Sequence, residues 1–145
     1  MVRILFVDDE PSHAQIVLGL LRTVLDARTQ VVSTVGEAVE ALQKERFDLL
    51  ITDLFLPMGP APANSLGPRA RRFVEQHQHL GGLVLLDELD RLGPGTPVLI
   101  HTASTDRAVL DACGPLVRGR IFKPAGAEDL LRASMEALDL PVPGL

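Results

Sequence analysis

The chain has 145 residues, a net charge of −5 and one cysteine, Cys113. This length predicts a single domain spanning 1–145 whose core needs no disulfide, and one cysteine cannot form an internal one. The acidic balance argues against nucleic acid as a direct partner. No signal peptide is visible and no apolar run is long enough to span a bilayer, so we expect a cytoplasmic protein without a membrane partner.

Apolar runs alternate with helical patterns along the chain, which indicates βαβ units. Three of the runs end in charged residues, at Asp8-Asp9, Asp53 and Lys123, which suggests parallel strands buried on both faces. The predicted strands cover residues 3–7, 30–33, 48–52, 97–101 and 119–122. Six helices are predicted. The first two begin near residues 12 and 36, and the other four cover residues 68–80, 83–92, 105–113 and 127–138.

The first predicted helix has a specific start and a specific buried face. Ser12 is expected to be its N-cap, and Gln15 three residues later would complete a capping box. A 3.6-residue period then predicts which apolar side chains face the core. These side chains are Ile16, Leu20 and Val24, with Val17 and Leu21 beside them.

One segment, between the third strand and the helix at 83–92, breaks the alternation. Residues 57–67 are rich in Pro, Gly and Ala, which favours an irregular loop. Gly81-Gly82 is expected to interrupt the helical pattern before the crossover helix. Loops in α/β units usually have about 2–6 residues, so residues 58–80 are interpreted as an insertion. It is either a tolerated surface excursion or a partner surface over the nearby site, and proteolysis should cut first within 58–72.

Polar side chains stand where four of the predicted strands end. They are Asp8 and Asp9, Asp53, Thr102, and Lys123. In open α/β sheets the ligand site lies at the carboxyl ends of the strands. Each residue alone has an ordinary explanation as a cap, a turn former or a surface residue. Together, three carboxylates and a lysine predict a site for a divalent cation and a phosphoryl group.

With Asp8-Asp9, Asp53, Thr102-Ala103 and Lys123-Pro124 in this order at successive strand ends, the chain resembles the response-regulator receiver domains of two-component signalling, the CheY-like domains. The resemblance covers nearly the whole chain apart from residues 58–80. It implies an α/β fold of the flavodoxin-like, doubly wound type, with five parallel strands in the order 2-1-3-4-5 and helices on both faces.

The resemblance also implies a role for each of these residues. Asp53 would be the phosphoacceptor, receiving a phosphoryl group from a sensor histidine kinase or a phosphotransfer protein. Lys123 would pair with a phosphoryl oxygen, and Thr102 would be the hydroxyl that responds to it. The cofactor would be Mg²⁺. Its implied ligands are Asp8 (largely through water), Asp9, Asp53 and the main-chain carbonyl of Phe55.

The surface that would report phosphorylation departs from the family pattern. Receivers usually carry an aromatic residue three positions before the lysine, and here that position is Arg120. We expect the target-binding or homodimer surface to remain the family's helix 4, strand 5 and helix 5, with Arg120 and Phe122 at its centre. These elements correspond here to residues 105–113, 119–122 and 127–138. Alternatively, Arg120 simply extends into solvent and reports nothing.

Two other functions remain open from the sequence. One is a degenerate receiver that binds partners without phosphorylation, although the acid-threonine-lysine set is complete. The other is an aspartyl-phosphate phosphatase, which needs a second acid two residues after its nucleophile, where this chain has Phe55. The chain is therefore expected not to be an enzyme. No output domain follows Leu138, so output is expected by protein contact, unless the domain belongs to a longer protein.

Three histidines and the cysteine often carry chemistry in other proteins but receive structural interpretations here. His77 and His79 on one helix point to different faces, so both are expected at the surface. His101 is expected to pack at the end of the fourth strand. Cys113 is expected to be a small buried hydrophobic residue rather than a reactive thiol.

Overall fold

A computed structural model describes residues 1–57, 67–72, 80–93 and 95–141 of the chain. Five parallel strands form one sheet in the order β2-β1-β3-β4-β5, which confirms the predicted doubly wound fold. The strands are β1 (Arg3–Val7), β2 (Arg28–Val32), β3 (Leu49–Thr52), β4 (Val98–Thr102) and β5 (Val117–Phe122). The helices are α1 (Gln15–Leu25), α2 (Val35–Lys44), α3 (Pro68–Arg72), α4 (Gly81–Leu92), α5 (Arg107–Ala112) and α6 (Ala127–Ala137), with a 3₁₀ turn at Pro11–Ala14 before α1.

Helices cover both faces of the sheet and create two apolar cores. Helices α2, α4 and α5 pack on one face, and α1 and α6 pack on the other. Every residue of β3 and β4 is buried, as expected for strands that are covered on both faces. The edge strand β5 alternates between half-buried and exposed residues. The sheet therefore has a fully buried centre, and its strand ends at residues 7, 52 and 102 lie close together.

The start of α1 differs from the prediction. Ser12 lies within the 3₁₀ turn, and α1 begins at Gln15 after Ala14, with no side-chain cap at its N-terminus. The predicted capping box is therefore wrong. The 3₁₀ turn directly precedes the helix, so Ser12 is not at the helix boundary where its hydroxyl would meet a free backbone N–H group.

The buried face of α1 also differs in part. Its buried side chains are Val17, Leu18 and Leu21, whereas Ile16 is 74% exposed and Val24 is 46% exposed. Successive residues of a helix are about 100° apart, so two adjacent rows of apolar residues compete for the core. The core takes the row that contains Val17 and Leu21. In the other predicted row Leu20 is partly buried and packs against the core as expected, but Ile16 and Val24 face outward.

Part of the predicted insertion lies outside the described residues. This applies to 58–66, which were predicted to be irregular, and to 73–79, which include His77 and His79. Helix α3 begins at Pro68 as predicted, and proline is favoured at the first turn of a helix. Helix α4 begins at Gly81 and contains both glycines, so the predicted interruption at Gly81-Gly82 is wrong.

A buried arginine fixes α3 to the rest of the domain. Arg69 is only 8% exposed. Its Nη1 donates to Asp87 Oδ1 (3.0 Å) and Asp90 Oδ2 (2.6 Å) on α4, and its Nε donates to the carbonyl of Cys113 (2.9 Å) just after α5. Burial opposes the charge of Arg69, but the bonds to Asp90 and Asp87 outweigh it and raise its pKa. The described residues 67–72 are therefore packed against the domain.

No helix in the described parts of the chain is both long and apolar enough to cross a membrane.

Candidate functional site

The sheet brings Lys123 against two aspartates that are distant in sequence. The pairing of β1 with β3 sets Val7 beside Thr52, so Asp8 and Asp53 leave the sheet side by side. Lys123 follows β5, and its backbone N–H donates to the carbonyl of Thr102 (2.9 Å). Its Nζ then donates to Asp8 Oδ2 (2.7 Å) and to Asp53 Oδ2 (2.8 Å). The peptide between Lys123 and Pro124 is cis.

The other oxygen of each aspartate is held by its own turn. Asp8 Oδ1 accepts from the backbone N–H of Glu10 (2.9 Å), and Asp53 Oδ1 accepts from that of Phe55 (3.1 Å). Both aspartates are buried, which would be unfavourable without such bonds. Each carboxylate is therefore fixed in orientation by a local backbone donor and by the shared lysine.

Asp9 completes an acidic cluster that is open to solvent on one side. Asp9 is exposed, and one oxygen each from Asp8, Asp9 and Asp53 lie within 4.8 Å of one another. Partial burial and repulsion by Asp8 and Asp53 raise the pKa of Asp9. Burial opposes the charge of Lys123, but hydrogen bonds to Asp53 and Asp8 raise its pKa. One cation thus balances three carboxylates incompletely, and these oxygens could hold a divalent metal ion.

The predicted threonine lies at the same edge of the sheet. Thr102 is buried at the end of β4, and its Oγ1 accepts from the backbone N–H of Ser104 (3.2 Å). Ala103 is exposed, so the strand end is accessible next to the acidic cluster. The response of Thr102 to a phosphoryl group and the metal-ligand role of the Phe55 carbonyl stay predictions.

Sequence reasoning missed the role of the two glycines that begin α4. Gly81 N–H donates to the carbonyl of Leu56 (3.2 Å), and Gly82 N–H donates to that of Leu54 (3.1 Å). A Cβ at Gly81 would lie 2.3 Å from the Leu56 oxygen, and a Cβ at Gly82 would lie 2.5 Å from the carbonyl oxygen of Asp53. Only glycine lets α4 approach this closely. The pair holds the turn that follows Asp53, and its position just before an apolar helix was the available signal.

His101 packs at the end of β4, as predicted. It is 8% exposed, and its ring lies at an angle to that of Phe6, with the ring centres 6.4 Å apart. Neither ring nitrogen has a hydrogen-bond partner within the described part of the chain. Burial lowers the pKa of His101, and the charge of Lys123 lowers it further. The imidazole is therefore neutral at neutral pH.

The predicted burial of Cys113 is confirmed. The residue is 1% exposed, and burial raises the pKa of its thiol. A thiol with a raised pKa forms little thiolate, so Cys113 behaves as a hydrophobic residue.

Solved structures with a similar fold are receiver domains. They include a CheY-like response regulator receiver domain protein from Methanospirillum hungatei, with 23% identity, TM-score 0.69, and coverage of 96% of this chain and 94% of that chain. The signal receiver domain of a putative LuxO repressor protein from Vibrio parahaemolyticus has 24% identity, TM-score 0.70, and coverage of 95% and 90%. The non-phosphorylated HemR receiver domain from Leptospira biflexa has 22% identity, TM-score 0.69, and coverage of 100% of both chains.

Sequence comparison adds less. No family model matches this chain. A protein from Sinorhizobium fredii, the uncharacterized protein y4jS, is 39% identical over 70 residues, which are 46% of this chain and 17% of that protein. The chain therefore matches less than a fifth of the length of this relative. Taken together, the chain has the fold of response-regulator receiver domains, with an acidic Asp8, Asp9 and Asp53 cluster typical of their phosphorylation site.

Proposed function

We propose that the chain is a phosphoacceptor signalling domain that receives a phosphoryl group on Asp53. The observation that carries the proposal is the hydrogen bond from Lys123 Nζ to Asp53 Oδ2 (2.8 Å), next to the acidic cluster, at the strand ends of a receiver fold. The donor would be a sensor histidine kinase or a phosphotransfer protein, which places the reaction in the cytoplasm. The domain itself would not be an enzyme, since Phe55 stands where a phosphatase of this type needs a second acid.

The chemistry asks for an oriented nucleophile and fixed charges. An oxygen of Asp53 attacks the phosphorus atom, a new O–P bond forms, and the bond from phosphorus to the donor nitrogen breaks. Positioning and charge stabilisation dominate this kind of transfer. Phe55 N–H holds one oxygen of Asp53, which orients the carboxylate. Lys123 can follow the negative charge from the carboxylate to the phosphoryl oxygens, because its ammonium group is a point charge on a flexible stem.

The acidic cluster suits Mg²⁺, which prefers oxygen ligands. Asp9 and Asp53 would bind it directly, Asp8 would act largely through water, and the Phe55 carbonyl would be a further ligand. When bound, the ion supplies positive charge next to the transferred phosphoryl group. Without it, partial burial and then repulsion by Asp8 and Asp53 raise the pKa of Asp9.

The readout would be a changed protein-binding surface made of α5, β5 and α6, either for a downstream target or for a second copy. In the β4–β5 register Thr102 lies beside Phe122, and Ile100 lies beside Arg120. A shift of Thr102 toward a phosphoryl oxygen would therefore change the surroundings of Phe122 first. Arg120, at the position that is usually aromatic, is two pairs before Phe122 in the register.

Intact mass measured after incubation with acetyl phosphate and Mg²⁺ tests this function. The wild type should gain one phosphate, and Asp53→Asn should gain none. Thr102→Ala should still be phosphorylated, because it removes the responding hydroxyl and not the nucleophile. Lys123→Ala should leave the domain poorly able to respond to phosphorylation. Phosphate found stably on a serine, with none on Asp53, would contradict the proposal. A wild type that never gains phosphate would favour the degenerate receiver instead.

A further inference from the structure

A groove between α5 and the edge strand β5 has no role in the chemistry at Asp53. Helix α5 has only 6 residues, fewer than two turns, so it leaves part of the face of β5 uncovered. The resulting groove has a volume of about 750 Å³, and Leu110, Asp111, Val117, Arg120 and Phe122 are among the residues that line it. Its size lies within the range of ligand-binding clefts.

The groove is basic although the chain as a whole is acidic. Three arginines line it, namely Arg107, Arg118 and Arg120, against a single acid, Asp111. Arg118 is paired with Asp139 at 2.8 Å. Arg107 and Arg120 are exposed, and neither has an ion pair or hydrogen bond within the described residues. Two guanidinium groups that lack such partners in the described parts of the chain have donors available, and carboxylates are groups that guanidinium binds strongly.

Apolar side chains complete the groove. Phe122 is 47% exposed, and Leu110 and Val117 lie along the same groove. Arginine and aromatic residues are the types enriched in protein interfaces. A small free anion would use the two guanidinium groups but would leave the phenyl ring in water. A second copy of this chain would present the same patch across a two-fold axis. Because this patch carries three arginines and one acid, most of the charges that meet would repel one another.

We propose that this groove binds an acidic segment of a partner protein. Carboxylates of the segment would pair with Arg107 and Arg120, and an apolar side chain would cover Phe122. This inference rests on the proposed function in one respect, because it assigns the chemistry of the partner that the phosphorylated domain would recognise. The groove itself is already present in the resting domain, so the binding can be measured with or without phosphate.

Selection from a displayed library of random peptides tests the inference. The full chain would be used in three forms: wild type, Arg107→Glu/Arg120→Glu, and Arg46→Glu, which reverses an exposed arginine in the turn before β3. Peptides selected on the wild type and on Arg46→Glu should be rich in Asp and Glu next to an apolar residue. The double variant should not select them. In direct titration of a selected peptide, each single reversal in the groove should weaken binding roughly tenfold.

Several results would overturn the inference. One is the absence of acidic enrichment, another is equal binding by a peptide whose acids are replaced with Asn and Gln, and a third is unchanged binding to Arg107→Glu/Arg120→Glu. Self-association abolished by Arg120→Glu, without peptide selection, would assign the groove to a second copy. Intact mass with acetyl phosphate, measured on the same samples, separates the two proposals. If Asp53 gains phosphate but no acidic peptides are selected, only the proposal for the groove is contradicted. If acidic peptides are selected but no phosphate is gained, only the phosphoacceptor proposal is contradicted.

Discussion

The described part of the chain contains two partly buried clusters in which one cation contacts two aspartates. In the first, called the phosphoacceptor cluster after the function proposed for it, Lys123 contacts Asp8 and Asp53. In the second, the Arg69 anchor, Arg69 contacts Asp87 and Asp90 and also the carbonyl of Cys113. Their charges are nearly the same, but the first cluster has Asp9 beside it and a solvent-facing side. In the second cluster Arg69 and Asp87 are buried and Asp90 is half exposed, and each of three hydrogen bonds from Arg69 goes to a group of the domain.

The difference between a lysine and an arginine separates the two roles. A lysine ammonium is a mobile point charge that can exchange one oxygen partner for another, as phosphoryl transfer requires. An arginine guanidinium is a planar group whose donors point in fixed directions, which suits a permanent connection between α3, α4 and the end of α5. We therefore expect substitutions in the phosphoacceptor cluster to change chemistry and metal binding, and substitutions in the Arg69 anchor to change stability.

The largest expected effect is in the Arg69 anchor. Arg69→Ala leaves Asp87 and Asp90 without this cation and should lower the free energy of unfolding by about 3–5 kcal/mol. Arg69→Lys should recover only part of the loss, since one ammonium cannot reproduce the three bonds. Urea unfolding measures both, with Arg71→Ala, an exposed arginine of the same helix, as the matched control. A loss below about 1 kcal/mol for Arg69→Ala, as for an exposed pair, would mean that the anchor is not structural.

The next effect concerns Mg²⁺. Binding to the phosphoacceptor cluster should stabilise the protein by about 1.4 kcal/mol at a concentration about ten times the Kd. Asp9→Ala should remove most of this stabilisation, because it deletes the most accessible carboxylate. Thermal unfolding with and without Mg²⁺ measures it, and Asp90→Ala, an acid of the Arg69 anchor, should keep the full response. A wild-type melting temperature that ignores Mg²⁺ would show that the acidic cluster is not a metal site.

A smaller effect concerns pH and the buried imidazole of His101. Its pKa is lowered in the folded state, so the unfolded chain binds the proton first as pH falls. Stability should therefore be lost below the unfolded value of about 6.5. His101→Leu should reduce this acid sensitivity and change stability by less than about 1 kcal/mol at pH 8, since it removes buried nitrogens without partners. Urea unfolding of both proteins from about pH 5 to about pH 8, a range that spans the pKa of histidine in the unfolded chain, measures this difference. Identical pH profiles for the two proteins would exclude His101 as the cause.

The smallest expected effect is the change in amide exchange when a phosphate mimic binds. With beryllofluoride and Mg²⁺, protection should change around residues 105–123, because Thr102 and Phe122 connect the phosphoacceptor cluster to α5 and β5. Residues 67–72 should change less, since the Arg69 anchor holds them to α4. Changes confined to 55–80 would instead mean that the signal leaves through the segment between β3 and α4.

The sequence predicted the phosphoacceptor cluster but not the Arg69 anchor, and the reason is physical. Strand ends are marked by a switch from apolar to charged residues, and parallel strands meet at one edge, so Asp8, Asp53 and Lys123 could be placed together. The contact of Arg69 depends on how the segment before α4 folds back, which no periodic pattern records. Its available signal was Asp87 and Asp90, three residues apart in the second half of α4.

The same limit applies to local geometry elsewhere. The order of strands and helices followed from patterns that repeat over many residues. The face of α1 did not, because the rows of Ile16 and Val17 both have the right period, and only contact with the sheet selects one. The role of Gly81 could not be predicted either, because a glycine pair before an apolar run is typical of a helix break. The structure shows instead that a Cβ at Gly81 would lie 2.3 Å from the carbonyl oxygen of Leu56.

The most direct test of the central claim identifies the carboxylate that carries the phosphate. After incubation with acetyl phosphate and Mg²⁺, borohydride reduces an acyl phosphate to an alcohol and so converts the phosphorylated aspartate to homoserine. Peptide mass analysis should find homoserine at position 53 and aspartate at positions 8, 9 and 87. Homoserine at position 8 or 9, or unmodified aspartate at position 53 in a protein that has gained phosphate, would contradict the assignment of Asp53.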